Sequence, residues 1–170
     1  ALTRDSIAFY NQELEPVEKE PERIQWDISA AEKGGYEHFM MKEIFEQPKA
    51  VRDTIAPRIR NGRVVLDDIT LTAEQLRNFT KICIVACGTA YHVGVVAKYA
   101  FEELLRIPVE VDVASEFRYR KPIIDERTLM IIISQSGETA DTLAALREAK
   151  RAGCRVLSIV NVVGSTVAKL

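Results

Sequence analysis

The nine residues from Ser134 to Thr142 read Ser-Gln-Ser-Gly-Glu-Thr-Ala-Asp-Thr, with four donor side chains, Ser134, Gln135, Ser136 and Thr139, in six positions. They follow the apolar run Met130–Ile133 and precede a helical pattern carried by Leu143, Leu146 and Ala149. Such a strand–loop–helix transition suits an anion. The first turn of a helix offers N–H groups without intrahelical partners and the positive end of a dipole. Hydroxyl and amide side chains add donors of their own, and Gly137 lets the backbone come close or take a positive φ. No Lys or Arg falls in the stretch, so the cradle has no fixed cation. It suits a ligand that must be released, and its hydroxyls match phosphate and sugar oxygens alike. Glu138 opposes this chemistry, because a carboxylate there repels phosphate unless it points away. One Ser or Thr before a helix is ordinary capping; four donors in six residues exceed what a cap needs.

A second loop of unusual composition, Cys87-Gly88-Thr89-Ala90-Tyr91, follows an earlier apolar run. It is either a second ligand loop or a tight turn with a helix cap. Gly88 and Gly94 are separated by five residues and no GxxxxGK[ST] occurs, so neither the dinucleotide fingerprint nor the nucleotide P-loop is present. The cysteines, Cys83, Cys87 and Cys154, form no CxxC pair. Cys83 and Cys87 fall in one strand pattern, on one face by the period of two, and are expected to be buried, reduced thiols of a cytoplasmic protein. With only His38 and His92 and no ligand-like cluster, no metal and no cofactor is expected.

The elements that position these loops follow from periodicity. From Lys81 onward, strand and helix alternate: KICIVAC is an apolar run of strand length, and IPVEVDVAS, TLMIIIS and CRVLSIV read as the second, third and fourth strands. Between the first two lies a helix with Val93, Val96, Ala97, Ala100, Phe101, Leu104 and Leu105 assigned to its inward face. Continuously apolar strands separated by amphipathic helices predict a doubly wound α/β fold with a parallel sheet covered on both faces. In such a sheet, ligands gather outside the carboxyl ends of the strands, where both loops fall.

Upstream, Ile7–Tyr10 and Leu14–Val17 flank Asn11-Gln12-Glu13 and predict a hairpin, followed by a Glu/Lys/Pro-rich connector to Trp26. Tyr36, Phe39, Met40, Ile44 and Phe45 follow helical spacing, with Pro48 breaking or restarting the helix; the Met/Phe stripe reads as core or inter-domain packing. His38 is expected to be solvated. Asn61-Gly62 marks a turn, and Thr72-Ala73-Glu74-Gln75 matches a capping box that starts a short helix reaching about Phe79. Ser165 and Thr166 either face the pocket or cap a helix after Gly164, and the cap is the favoured reading.

At 170 residues, 47% hydrophobic with net charge −2, the chain is long enough for a sizeable core. It has no basic stripe for nucleic acid and no apolar run of membrane-spanning length. It opens on Ala1 and ends at Leu170 in an opening helix pattern, so it reads as a segment of something larger, with the sheet incomplete at its C-terminal side.

SQSGETADT, ACGTAYH and ASEFRYR, together with the upstream EKGGYEHFMMKEIFEQP, resemble the glutamine–fructose-6-phosphate aminotransferase family, whose isomerase half has the sugar-isomerase (SIS) fold. The resemblance covers nearly the whole chain. It implies that residues 1–30 are the end of a glutaminase domain and connector, 31–80 a helical lead-in, and 81–170 the first SIS domain, flavodoxin-like in topology. It further implies that Ser134, Gln135, Ser136 and Thr139 bind a sugar phosphate, and that Cys87, Gly88 and Thr89 line the same pocket with Thr89 near the sugar. Many members carry serine where this chain has Ala90, leaving only a backbone contact there. The implied ligands are fructose 6-phosphate and glucosamine 6-phosphate. The implied partners are a glutaminase domain, a second SIS domain and a second copy in a homodimer. No residue here matches the family's catalytic groups, and His92 is expected to be a surface or packing residue. Residues 116–120 are either a subunit contact or a solvated charged turn. A sugar-phosphate-sensing SIS module of a regulator is the alternative, but the chain lacks the basic recognition helix such a protein carries upstream.

Overall fold

The computed structural model describes residues 1–20 and 32–170, and these divide into two compact units, Ala1–Asp67 and Asp68–Leu170. In the first unit, β1 (Phe9–Tyr10) and β2 (Pro16–Val17) pair antiparallel as the predicted hairpin. The side chain of Asn11 holds its turn, accepting a hydrogen bond from the Glu15 amide at 2.8 Å. The connector residue Trp26 lies outside the described residues.

Helix α1 (Phe39–Ile55) runs without interruption through Pro48, where the sequence predicted a break. Proline removes one N–H and crowds the carbonyl four residues back; the sixteen other residues keep the helix. Its Met/Phe stripe is not a core. Phe39, Met40, Ile44 and Phe45 are all exposed, and Phe45 stacks on Tyr36 with ring centroids 5.8 Å apart. His38 is exposed beside Glu37. After a 3-10 turn, β3 (Ile59–Arg60) and β4 (Arg63–Val64) form a second hairpin. Asn61 and Gly62 both take positive φ, the two-residue turn whose twist matches paired strands.

The second unit opens with α2 (Ala73–Asn78), started by the predicted capping box. Thr72 Oγ1 accepts from the Gln75 amide, and the Gln75 side chain accepts from the Thr72 amide at 2.9 Å. The sheet consists of β5 (Lys81–Ala86), β6 (Val109–Val113), β7 (Thr128–Ser134) and β8 (Arg155–Val160), all parallel and ordered β6-β5-β7-β8. The connections are α3 (Thr89–Leu105), a short α4 (Ala114–Phe117) and α5 (Ala140–Arg151), with α6 (Thr166–Lys169) after β8. The doubly wound parallel fold is the one the sequence predicted. Strand β6 ends earlier than the apolar pattern, because Ala114 and Ser115 open α4 instead.

Alternation along the strands makes two cores. Cys83, Val85, Met130 and Ile132 point to one face and pack with Phe117, Leu143, Leu146, Ala149 and Val167. Ile82, Ile84, Val109, Leu129 and Ile131 point to the other, against Phe79, Ala97 and Phe101. The stripe assigned to α3 is corrected here. Val93, Val96, Leu104 and Leu105 are exposed, and the helix meets the sheet through Gly94, Ala97 and Phe101. Gly94 is the reason. A Cβ at that position would lie 2.9 Å from Ile84 Cγ2 and 3.0 Å from Val111 Cγ1, so the helix sits on the sheet where only hydrogen fits.

Gly94→Ala should therefore destabilise the second unit by about 1–3 kcal/mol through overpacking, although alanine is the better helix former by about 1 kcal/mol. Urea unfolding monitored by circular dichroism checks this; an unchanged or higher midpoint would contradict the close approach.

Candidate functional site

The strand order places a switch point between β5 and β7. The chain leaves β5 toward β6 on one side and returns to β7 on the other, so the loops after these two strands open away from each other and leave a crevice. Pairing of Ala86 with Ile133 sets Cys87 beside Ser134 at the carboxyl edge. The two donor-rich loops are thus neighbours, with the N-termini of α3 and α5 above them.

In the first loop, Cys87 is half-buried just past the strand end. Gly88 takes φ 57°, ψ −135° and turns the chain directly into α3, a conformation for which the absence of Cβ is required. Thr89 opens the helix exposed, and Ala90 behind it is half-buried. The loops are linked by Thr142 of α5, whose hydroxyl donates to Cys87 Sγ at 3.8 Å. Thr142 is buried, and its place in the SQSGETADT motif does not by itself disclose this bond. Cys83, below in the core, is inert: burial, reinforced by the Glu110 charge, pushes its thiol up to about 12.

In the second loop, Ser134 is buried and its Oγ accepts from the Gly137 amide at 3.0 Å, so this hydroxyl shapes the turn. Ser136 Oγ accepts from the Glu138 amide at 3.2 Å. Each oxygen acts as acceptor in these bonds, which do not use its O–H proton. Gln135 is exposed. Thr139 is the N-cap residue of α5 by backbone geometry, yet its side chain makes no capping bond, so its hydroxyl and the first-turn amides are not used on each other. Uncommitted donors at a helix N-terminus beside a glycine turn make the arrangement expected of a phosphate cradle.

Glu138 resolves its own objection. Its carboxylate accepts from the Thr166 amide at 2.7 Å and from the Thr166 hydroxyl at 2.8 Å. These bonds, the backbone one first, hold its carboxyl below the ordinary range, with Lys169 contributing. The Gly137 carbonyl accepts from the Val167 amide at 3.1 Å. Ser165 is buried at the N-cap position of α6 but makes no cap bond, and its Oγ has no hydrogen-bond partner among the described residues. That is a correction to its expected capping role. This bracing of one loop by the next joins residues 28 apart in sequence, and no local pattern announces it.

Of the charged turn Glu116, Arg118, Tyr119 and Arg120, the two arginines bond within their own unit. Arg118 donates to Asp141 Oδ1 in the first turn of α5 at 2.6 Å, and Arg120 pairs with Asp112 and Glu110 of β6. Tyr119 is exposed, with the Arg118 guanidinium 4.9 Å from its ring centroid. His92 lies exposed in the first turn of α3, edge-on to Tyr91.

Gly137 combines φ +68° with a direct obstruction: a Cβ would fall 2.1 Å from Ser165 Oγ and 2.9 Å from Val160 Cγ1. Gly137→Ala should cost about 2 kcal/mol or more in unfolding free energy and displace the loop. Adding Ser165→Gly should recover part of the loss, since it removes the nearest obstruction but not the strained φ. Chemical denaturation of the three proteins checks the order; a neutral single variant would contradict the geometry.

Comparison with known proteins agrees with this architecture. The family model for the SIS domain matches residues 75–170. Among curated relatives, the glutamine–fructose-6-phosphate aminotransferase [isomerizing] of Clostridium acetobutylicum is 65% identical over 169 residues, 99% of this chain and 28% of its own. That of Mycolicibacterium paratuberculosis is 55% identical over 157 residues, 92% of this chain and 25% of its own. The chain therefore spans about a quarter of the length of these relatives. Among solved structures, the C-terminal domain of glucosamine-fructose-6-phosphate aminotransferase from Francisella tularensis superposes with a TM-score of 0.74 at 44% identity, covering 81% of this chain and 39% of that one. Glucosamine-6-phosphate deaminase from Thermotoga maritima gives 0.51 at 28% identity, over 56% of this chain and 31% of that one. A parallel β6-β5-β7-β8 sheet with its donor-rich loops at the switch point, matched over residues 75–170, places this chain in the SIS domain family.

Proposed function

We propose that this chain is the fructose 6-phosphate-binding part of an enzyme that makes glucosamine 6-phosphate from fructose 6-phosphate and glutamine. The observation that carries the proposal is the pair of donor-rich loops set side by side at the switch point, with the Thr139 hydroxyl and the first turn of α5 uncommitted. Close similarity to aminotransferases over nearly the whole chain supports the choice of sugar. It also disfavours a sugar-phosphate-sensing regulator.

In this proposal Ser134, Gln135, Ser136 and Thr139 hold the phosphate, aided by the α5 amides and dipole. Cys87, Gly88 and Thr89 line the sugar side of the crevice, and Ala90 offers backbone only. Their work is binding and orientation. Phosphate held at one loop fixes where the sugar carbons fall at the other, where groups that move protons would act on them. None of the residues described here is assigned that chemical role. Residues 1–30 would end a glutaminase domain, 31–80 lead into the isomerase part, and 81–170 form the first SIS domain. The partners would be the glutaminase domain, a second SIS domain and a second copy, in the cytoplasm. Among the described residues no helix is long and apolar enough to cross a membrane.

Ser136→Asp sets a negative charge within the cradle and should abolish fructose 6-phosphate binding in calorimetry while circular dichroism stays unchanged. Retained affinity would reject the assignment. Ala90→Ser should strengthen binding by up to about fivefold, equivalent to one hydrogen bond of about 1 kcal/mol; an unchanged affinity would show that this helix position does not face the ligand.

A further inference from the structure

The phosphosugar reading leaves a carboxylate beside an anion site, and the fold contains a device that deals with it. Glu138 lies between Ser136 and Thr139, two of the proposed phosphate donors. Its carboxylate is bound by the segment after β8, where the amide and hydroxyl of Thr166 donate to its two oxygens at 2.7 and 2.8 Å. The surrounding segment is locked to the same loop. The Val167 amide donates to the Gly137 carbonyl, Val167 is core, and Ser165 is buried against Gly137 where a Cβ would stand. The other charged groups nearby are Lys169 on α6, which favours the Glu138 anion, and Asp141 on α5, already paired with Arg118 of α4.

We propose that Thr166 is a positioning residue for sugar-phosphate binding: it draws the Glu138 carboxylate out of the cradle, so that the loop can accept a phosphate dianion. The inference rests on the phosphosugar reading above. It assigns to the loop after β8 a role in affinity that operates through another side chain, without touching the ligand. Loss of the Thr166 hydroxyl removes one of the two bonds holding the carboxylate. Glu138 then spends time facing the phosphate, and the repulsion appears as lost affinity.

Fructose 6-phosphate binding by calorimetry in four variants tests this, with amide spectra confirming the fold. Thr166→Val should weaken binding about tenfold, the effect of one unit charge at close range in a partly aqueous site. Thr166→Ser, which keeps the hydroxyl, should bind as the parent does. The double variant Thr166→Val/Glu138→Gln should return to within about twofold of the parent, because the released side chain no longer carries charge. Glu138→Asp, one methylene too short to reach Thr166 and leaving α6 untouched, should weaken binding as Thr166→Val does. A merely structural role for Thr166 would not be rescued by removing a charge elsewhere. Equal affinity of the parent and both Thr166→Val and Glu138→Asp, or a loss that Glu138→Gln fails to correct, overturns the Thr166 proposal alone. A parent protein that binds no fructose 6-phosphate overturns the phosphosugar reading, and this inference with it.

Discussion

The pairing of β5 with β7, in register from Lys81 opposite Thr128 to Ala86 opposite Ile133, is the constraint on which the rest of the site depends. It brings together two strands separated in sequence by α3, β6 and α4, and it ends both at the same edge. Because the chain departs from β5 in one direction and from β7 in the other, the α3 and α5 helices cover opposite faces. Their N-termini meet at that edge, which brings two helix starts and their unpaired amides together. A one-residue slip of β7 would exchange the residues it gives to the two cores. The cores on the two faces, one holding Met130 and Ile132 and the other Leu129 and Ile131, are what forbid that slip.

Small residues then set how closely the layers approach. Gly94 lets α3 settle onto Ile84 and Val111, which fixes the height of Thr89 above the sheet. Gly137 lets the cradle loop rest on Ser165, which fixes its depth. Between them Thr142 reaches from α5 to Cys87 and couples the two loops across the crevice. The Arg118–Asp141 bond ties α4 to the first turn of α5. The site is therefore built by packing and bracing through Gly94, Gly137, Thr142 and Arg118, none of which is itself a proposed ligand contact.

How much of this the sequence disclosed depends on whether the determining interaction was local. The central strands β5 and β7 were legible because burial on both faces leaves a nearly unbroken apolar run, and the capping box at Thr72 because its partners are three residues apart. The cradle loop was legible because its donors are contiguous. The face of α3 was not. That helix is apolar nearly all round, with Val93, Val95, Val96, Ala97, Phe101, Leu104 and Leu105, so several stripes fit the period equally well. The deciding residue was a glycine, which a hydrophobic pattern does not register. Pro48 misled because one lost hydrogen bond is tolerated inside a seventeen-residue helix. The exposed Phe39–Phe45 stripe had the spacing of a buried face, and spacing alone does not say whether its cover lies in the same unit. The direction of the Glu138 side chain was invisible, since its partner lies a whole helix and strand away.

The central claim, that the two loops form one phosphosugar site, is tested most directly by an amide NMR titration of the protein with fructose 6-phosphate, with fructose and inorganic phosphate as controls. The account predicts saturable shifts that include Gly88–Ala90 and Ser134–Thr139 together, with a single dissociation constant, while fructose moves neither loop. A well-dispersed spectrum in which fructose 6-phosphate shifts only one loop, or shifts residues away from the β5–β7 edge, would contradict it.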